Sequence, residues 1–391
     1  MRTSLRDTLS SMLRSSGIFL ALVAIVILFQ IWTSGTLLSP VNVTNLVLQY
    51  SYILILAIGM LFVIVVGHID LSVGSVLAFV GAIAATLVVK QGQPWWVAVV
   101  AGILVGVIVG AWHGFWVAYV GIPGFIVTLS GMLLFRGATY LVLNSVSLSP
   151  MSQQYQQIAS GFLNGLLGGY GVDTFTLVIG AVAVVGFAYF EWRQRAGRIR
   201  YGQPVDPIWM LVLKIFVVGV VVMAFAWQLA TNRGMPIVLF ILGALILIYS
   251  FVAKNTVYGR HVYAIGGNIH AARLSGVKVK RTIFTVYVNM GLLTGIAGIV
   301  YSSRSNGAQP GAGNMFELDA IAACFIGGAA VTGGIGTVLG AMVGGLIMAI
   351  MSNGMQLLGV ETAIQQVVKG LVLLLAVAFD IYSKQRQVGK K

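Results

Sequence analysis

Residues 46–66 read LVLQYSYILILAIGMLFVIVV and residues 71–89 read LSVGSVLAFVGAIAATLVV, joined by Gly67-His68-Ile69-Asp70. Asp70 is the one charged side chain in the whole stretch. The first run is long enough to cross a bilayer, whose ~30 Å hydrocarbon core needs about 20 mostly apolar residues in a helix. The second is shorter and richer in Gly, Ser and Thr, the composition of a broken or re-entrant segment that is tolerated only inside protein. Neither run leaves a polar face for water, so both belong in a membrane or a very large core.

Runs of similar length recur at 17–34, 95–120, 124–143, 175–191, 208–229, 236–253, 282–301, 318–334, 338–358 and 363–382, giving twelve candidates in all. Of these, 71–89 and 318–334 are the least regular, short and rich in Gly, Ser or Thr, and either is a candidate broken or re-entrant segment. The composition agrees: 59% of the 391 residues are hydrophobic and 8% are charged, whereas an ordinary soluble domain carries about 25% charged residues. The expected fold class is therefore all-α, a polytopic transmembrane helix bundle of about twelve spans, and soluble enzyme folds are excluded.

The net charge of +14 raises nucleic-acid binding as a possibility, but the basic residues are not interleaved with aromatics along one face. They lie in short stretches between apolar runs, as membrane orientation requires. With both termini in the cytoplasm, seventeen Lys and Arg fall on the inner side: Arg2, Arg6, Arg14, the loop 192–207, the loop 254–281 and the C-terminal tail. Three fall outside, Lys90, Arg233 and Arg304. The positive-inside rule thus selects this orientation. The N-terminal stretch lacks a small-residue cleavage site, so the run from residue 17 reads as a retained helix. No solenoid repeat is evident, and Cys324 is alone, which excludes an intrachain disulfide.

The missing motifs narrow the chemistry. There is no P-loop for a nucleotide, no His-Glu-x-x-His spacing for a metal and no Gly-x-Ser-x-Gly elbow, which argues against intrinsic enzymatic activity. Candidate elements are then structural or transport-related. Gly102, Gly106, Gly110 and Gly114 recur every four residues, as do Gly336, Gly340 and Gly344; such stripes let helix backbones approach closely. Asp70 is either a helix cap or a pathway residue, with Ser72 and Ser75 beside it. Thr128, Ser130, Asn289, Asn353 and Gln356 are uncharged polar residues suited to touching a neutral polyol, or to bonding between helices. Arg136 and Lys369 read as ion-paired or snorkelling, and Lys214 as snorkelling. In the basic inner loop, Asn268 is placed to cap a two-turn helix, Ile269-His270-Ala271-Ala272-Arg273-Leu274-Ser275, that Gly276 terminates.

Several long stretches carry a resemblance to a known family: GHIDLSVGS (67–75), PGFIVTLSGMLLFRG (123–137), YGRHVYAIGGNIHAARLSGV (258–277) and the region 308–380, beginning AQPGAGNMFELDAIAACFIGG. The chain resembles the permease subunits of bacterial ABC importers for monosaccharides, the ribose, xylose, arabinose and galactose group. The resemblance covers most of 45–143 and 233–382. It is weak across about 145–232, which looks like a two-span insertion on a ten-span family core and is similar to the layout of xylose-type permeases.

The resemblance implies a single transmembrane permease domain over 1–391, in the bacterial inner membrane, translocating a pentose or hexose by alternating access. It implies three protein partners: a cytoplasmic ATPase of tandem-domain type that holds ATP and Mg, a periplasmic sugar-binding protein, and a second permease chain, most simply in a homodimer. The chain itself would carry no cofactor. Residues Asn268 to Gly276 would be the coupling helix lodged in the ATPase, and the uncharged loop 144–174 part of the docking surface for the binding protein. An ion-coupled secondary sugar transporter is the alternative, but Asp70, Glu317 and Asp319 sit near span ends rather than at a midplane. A passive channel and a membrane enzyme are weaker rivals.

Overall fold

A computed structural model describes residues 17–205 and 207–388; the side chains of 379, 380 and 383–388 lie outside the description. The N-terminal Arg2, Arg6 and Arg14 and the terminal Lys390 and Lys391 fall outside the described residues.

The chain is a bundle of α-helices. In order these are α1 (Gly17–Trp32), α2 (Pro40–Val65), α3 (Val73–Ala85), α4 (Trp95–Phe115), α5 (Gly124–Leu143), a short α6 (Gln153–Ser160), α7 (Thr174–Arg200), α8 (Ile208–Ala230), α9 (Ile237–Asn255), α10 (Val257–Gly267), α11 (Ile269–Leu274), α12 (Val279–Arg304), α13 (Phe316–Ile326), α14 (Val338–Leu357) and α15 (Thr362–Val388). A two-residue antiparallel ribbon pairs β1 (Phe162–Leu163) with β2 (Met235–Pro236). Among the described residues nine helices are long and apolar enough to cross a membrane, and Gly17–Trp32 and Thr362–Ala378 are shorter apolar ones.

Helix α2 is the axis of the bundle. Ser39 caps it, with Pro40 at its first position, where a missing N–H costs nothing. Its apolar window is 94% buried inside the protein, because α9, α12, α13 and α14 all pack around it. Helices α7 and α8 pack chiefly on each other at the periphery, with only 11% of each apolar window buried.

Helix α4 crosses α12 at backbone contact. Gly106 and Gly110 face Gly291 and Gly295, so that a methyl group at Gly106 would lie 2.9 Å from the Gly295 Cα and one at Gly110 would lie 3.0 Å from the Gly291 Cα. Gly102 and Gly114 extend the seam to Ile299 and Phe284. Gly340 and Gly344 pack α14 onto the end of α13 at Gly327 and Ala323. Gly336 differs from that expectation. It precedes α14 with φ +153° and is a loop residue, not part of a helical stripe.

The two irregular runs resolve differently. Residues Val73–Lys90 form one continuous 18-residue helix whose last turn widens. The run 318–334 does not: α13 ends at Ile326 after 11 residues, about 16 Å of helix, half of what a bilayer core requires. Gly328, Gly333 and Gly334 adopt positive φ, a conformation that glycine tolerates and a continued helix cannot use. The remaining passage, 327–337, is non-helical: Gly327, Ala329, Ala330, Gly333 and Gly336 are buried, while Val331 and Ile335 are exposed. The loop 254–281 is also more structured than expected, since α10 precedes the capped helix.

Candidate functional site

Helix α2 stops at its C-terminal end because Gly67 takes φ +84°, and its carbonyls at Val63 and Ile64 are closed by the His68 and Gly67 amides. The chain then runs without helix to Val73. In this break the Asp70 carboxylate accepts from the Ser72 amide at 2.9 Å and from its hydroxyl at 2.6 Å. Ser72 is the residue flanking α3, and its own side chain makes no capping bond. Asp70 thus braces the turn ahead of the helix instead of capping the helix directly. Thr128 on α5 donates to Gly124 O at 3.0 Å and lies 3.3 Å from Ile69 O, tying α5 to the break. Asp70, Ser72, Ser75 and Thr128 are all buried, and the Ser75 hydroxyl has no partner.

The second break, 327–337, meets the first. The Gly334 amide donates to Val65 O at 2.8 Å, and Gly333 packs beside the Gly67 amide. Two non-helical segments, one from each half of the chain, therefore meet at the C-terminal end of α2. The second is closed on itself by the Ala330 amide on Ile335 O and the Gly333 amide on Ala330 O.

The inner loop is bolted onto this junction. Asn268 accepts from the His270 and Ala271 amides at 3.0 Å each, and Gly276 follows α11 with φ +84°. The Gly276 amide closes on Arg273 O at 3.0 Å and the Val277 amide on Ala272 O at 3.1 Å, a glycine-terminated helix end. Within α11, Ala272 is buried while Ile269, His270, Arg273 and Leu274 are exposed, Leu274 at 91%. Upstream, Tyr263 on α10 donates to Gly336 O at 2.7 Å, and Gly266 packs against Val65 O and Gly334, with no room for a side chain. A surface helix is thus connected through α10 to both breaks.

The other pathway candidates are elsewhere. Asn353 on α14 exchanges two hydrogen bonds with Asn42 on α2, at 2.8 and 3.0 Å, and Gln356 accepts from Gln49 at 3.3 Å. This is a polar clasp between helices, remote in sequence from the Asp70 turn. Asn289 accepts from the Tyr249 hydroxyl, leaving its amide nitrogen without a partner. Ser130 is on the exposed face of α5 and joins neither group.

Three of the cations within the spans have explicit partners. Lys369 pairs with Asp319 at 3.0 Å. Arg136 has no acid; it donates to Pro310 O at 3.2 Å and to Ala312 O, holding the loop before α13. Lys214 does not merely extend to the interface, because it pairs with Glu191 at 2.7 Å. Glu317 is the residue that sequence reasoning placed at a span end without a role. It is buried, its Oε2 is unpartnered, and it packs against Gly74 at the start of α3. The signal was present, since Glu317 is the first acidic residue after Asp206. At the start of α7, burial of the Asp173 carboxyl raises its pKa, but hydrogen bonds from Thr176, Gly165 and Phe175 outweigh that and hold it below the usual carboxylate value.

Comparisons with known proteins follow the same outline. Residues 42–377 match the family described as branched-chain amino acid transport system / permease component. The chain is 42% identical over 366 residues to the xylose transport system permease protein XylH of Escherichia coli (strain K12), covering 94% of this chain and 91% of that protein. It is 41% identical over 372 residues to XylH of Haemophilus influenzae, covering 94% and 97%. To the ribose import permease protein RbsC of Escherichia coli (strain K12) it is 34% identical over 339 residues, covering 87% and 85%. No solved structure matches.

Proposed function

The chain belongs to this family of sugar ABC permeases, multi-pass proteins of the inner membrane, and on that premise we propose that it moves a monosaccharide inward by alternating access. The membership implies an ATPase and a substrate-binding protein as partners. In our reading the ATPase is a tandem-domain protein that holds ATP and Mg, the permease acts as a homodimer, and this chain performs no chemistry on its sugar. Xylose is the first substrate to test, followed by arabinose and galactose.

One observation carries the mechanism: α11 is joined through Tyr263 and Gly266 of α10 to the two helix breaks at Val65–Gly334. A helix capped at both ends and largely exposed is a rigid knob for a partner to grip. A push on it is delivered to non-helical backbone, which has more freedom to change conformation than a closed helix. Asp70, Ser72, Ser75 and Thr128 stand at that backbone and would reorient with it. ATP can drive the switch only through different affinities of the ATPase for the two states of the permease. Weak polar groups suit a transient path, because a tight site at the midplane would retain the sugar. The α7–α8 pair, within the 145–232 insertion, serves as peripheral scaffold, and the loop 144–174 meets the binding protein.

The test is ATP hydrolysis and sugar uptake in proteoliposomes containing the permease, its ATPase and its binding protein, across a panel of monosaccharides. The expected result is stimulation by one sugar that is abolished when the cap at Asn268 and the stop at Gly276 are disrupted. Uptake that persists without ATPase and collapses with a protonophore would replace this reading with ion-coupled transport.

A further inference from the structure

Beside α11 the surface holds an open pocket of about 400 Å³ lined by Tyr119, Arg273, Lys278, Val279, Lys280 and Arg281. Four of these six residues are cations. Among the described residues no acid lines the pocket: the chain contains no Asp or Glu between Asp206 and Glu317, nor between Asp70 and Asp173, so α4, α5, α10, α11 and α12 are free of acids. The ion pairs Lys214–Glu191 and Lys369–Asp319 both lie elsewhere. The pocket also opens on the first turn of the 26-residue helix α12, whose dipole adds positive potential at that end. Like charges gathered at one concavity repel unless an anion joins them.

The depth of the pocket says which anion. Tyr119 stands in the widened last turn of α4 and its ring lies 5.6 Å from Phe284 on α12. Phe115 and Val120 beside it are about half exposed, at 48% and 50%. Aromatic residues at the end of a span mark the headgroup level of a membrane, and basic pockets between helices on the cytoplasmic side suit acidic headgroups. The cations therefore adjoin an apolar flank that runs into the bilayer. A soluble acidic peptide would use the charges and ignore that flank; a lipid uses both.

We propose that this pocket binds the phosphate headgroup of an anionic phospholipid of the cytoplasmic leaflet, with its acyl chains along Phe115 and Val120. Arg273 belongs to α11, Tyr119 to α4 and the remaining residues to the start of α12 or just before it. One headgroup thus fixes the surface helix to two spans that the glycine seam already joins. The binding claim stands apart from the transport reading, because it is measured on the isolated permease.

The experiment is native mass spectrometry of the full chain in detergent, titrated with cardiolipin, phosphatidylglycerol and phosphatidylcholine. Two variants accompany it, each lacking three charges: Lys278→Gln/Lys280→Gln/Arg281→Gln in the pocket, and Arg193→Gln/Arg198→Gln/Arg200→Gln at the end of α7. All three pocket substitutions are at exposed positions, so folding is not at stake. Each basic residue near a lipid surface is worth about 1 kcal/mol, so the pocket variant, which loses three, should fall roughly a hundredfold in affinity for the anionic lipids. The α7 variant should retain it. Equal binding of phosphatidylcholine, or an equal loss in both variants, overturns the site. Glycerol phosphate that displaces lipid at millimolar concentration supports headgroup recognition. Inorganic phosphate bound as tightly as lipid would make the ligand a soluble anion, and binding of polyglutamate but no phosphate would make it an acidic protein; either outcome overturns the lipid.

Discussion

The α4–α12 seam makes a sharp prediction about Gly106. Replacing it with Ala adds one methyl group, which would sit 2.9 Å from both the Cα and the amide nitrogen of Gly295, and closer still to Gly291 O. Ordinary contact begins at 3.4 Å. These are backbone atoms, so no side chain can rotate away, and the helices must separate by about half an ångström or more. Overpacking of this kind costs about 1–3 kcal/mol, against which Ala returns up to about 1 kcal/mol of helix propensity. The net loss expected is about 1–2 kcal/mol, a fall of a few degrees in thermal midpoint. Gly137→Ala on α5 is the control, because a methyl there meets nothing within 4 Å and only the propensity gain applies. Thermal unfolding in detergent, followed by size-exclusion chromatography of the heated samples, compares the two. If Gly106→Ala is as stable as Gly137→Ala, the close approach of α4 and α12 is wrong.

Three further outcomes are expected. Gly276→Val keeps an open surface around the side chain but forces a β-branched residue to φ +84°, so it should insert normally and lose ATPase stimulation by sugar; undiminished transport would refute the coupling role of α11. Lys369→Met leaves Asp319 as an unpaired buried carboxylate and should cost about 3–5 kcal/mol, whereas Lys369→Met/Asp319→Leu should recover most of the thermal midpoint; a double variant no better than the single one counts against the pair. Because the Asp173 pKa lies below its ordinary value of 3.8, its bonds to Gly165 and Thr176 add stability above pH 3.8 that is lost as pH falls through the lowered pKa; hydrogen exchange normalised for intrinsic rate should show the Gly165 and Thr176 amides losing protection in that acid window, and Asp173→Asn should remove the transition.

How much of this was legible beforehand depends on the range of the interactions. The long apolar runs correspond to helices because membrane burial imposes one rule, that every backbone group be satisfied locally. The α11 helix was legible for the same reason: Asn268 and Gly276 act within a few residues of the groups they satisfy. At 318–334 the Gly and Thr content marked a candidate break, as the structure has it, whereas hydropathy alone sees the apolar residues and not the turn that Gly328, Gly333 and Gly334 allow. Glycine has two readings, close packing and positive φ, and spacing alone does not separate Gly336 from Gly340.

The junction itself was not legible, because it is made by contacts between residues far apart in sequence: Gly334 to Val65, Tyr263 to Gly336, Thr128 to Ile69. None has a local signature. The same holds for Asn353, which looked available for a sugar and is instead spent on Asn42. Polar residues in spans divide accordingly. Those with reciprocal partners, such as Asn42 and Asn353, hold the bundle. Those left with unused capacity beside the non-helical junction, Ser75 and Glu317 above all, are where a passing polyol would find hydrogen bonds without displacing any that the fold requires. Replacing Ser75 with Ala should therefore slow transport at unchanged stability, whereas Asn353→Ala should lower stability first. A Ser75→Ala permease that transports normally would remove that face of α3 from the path.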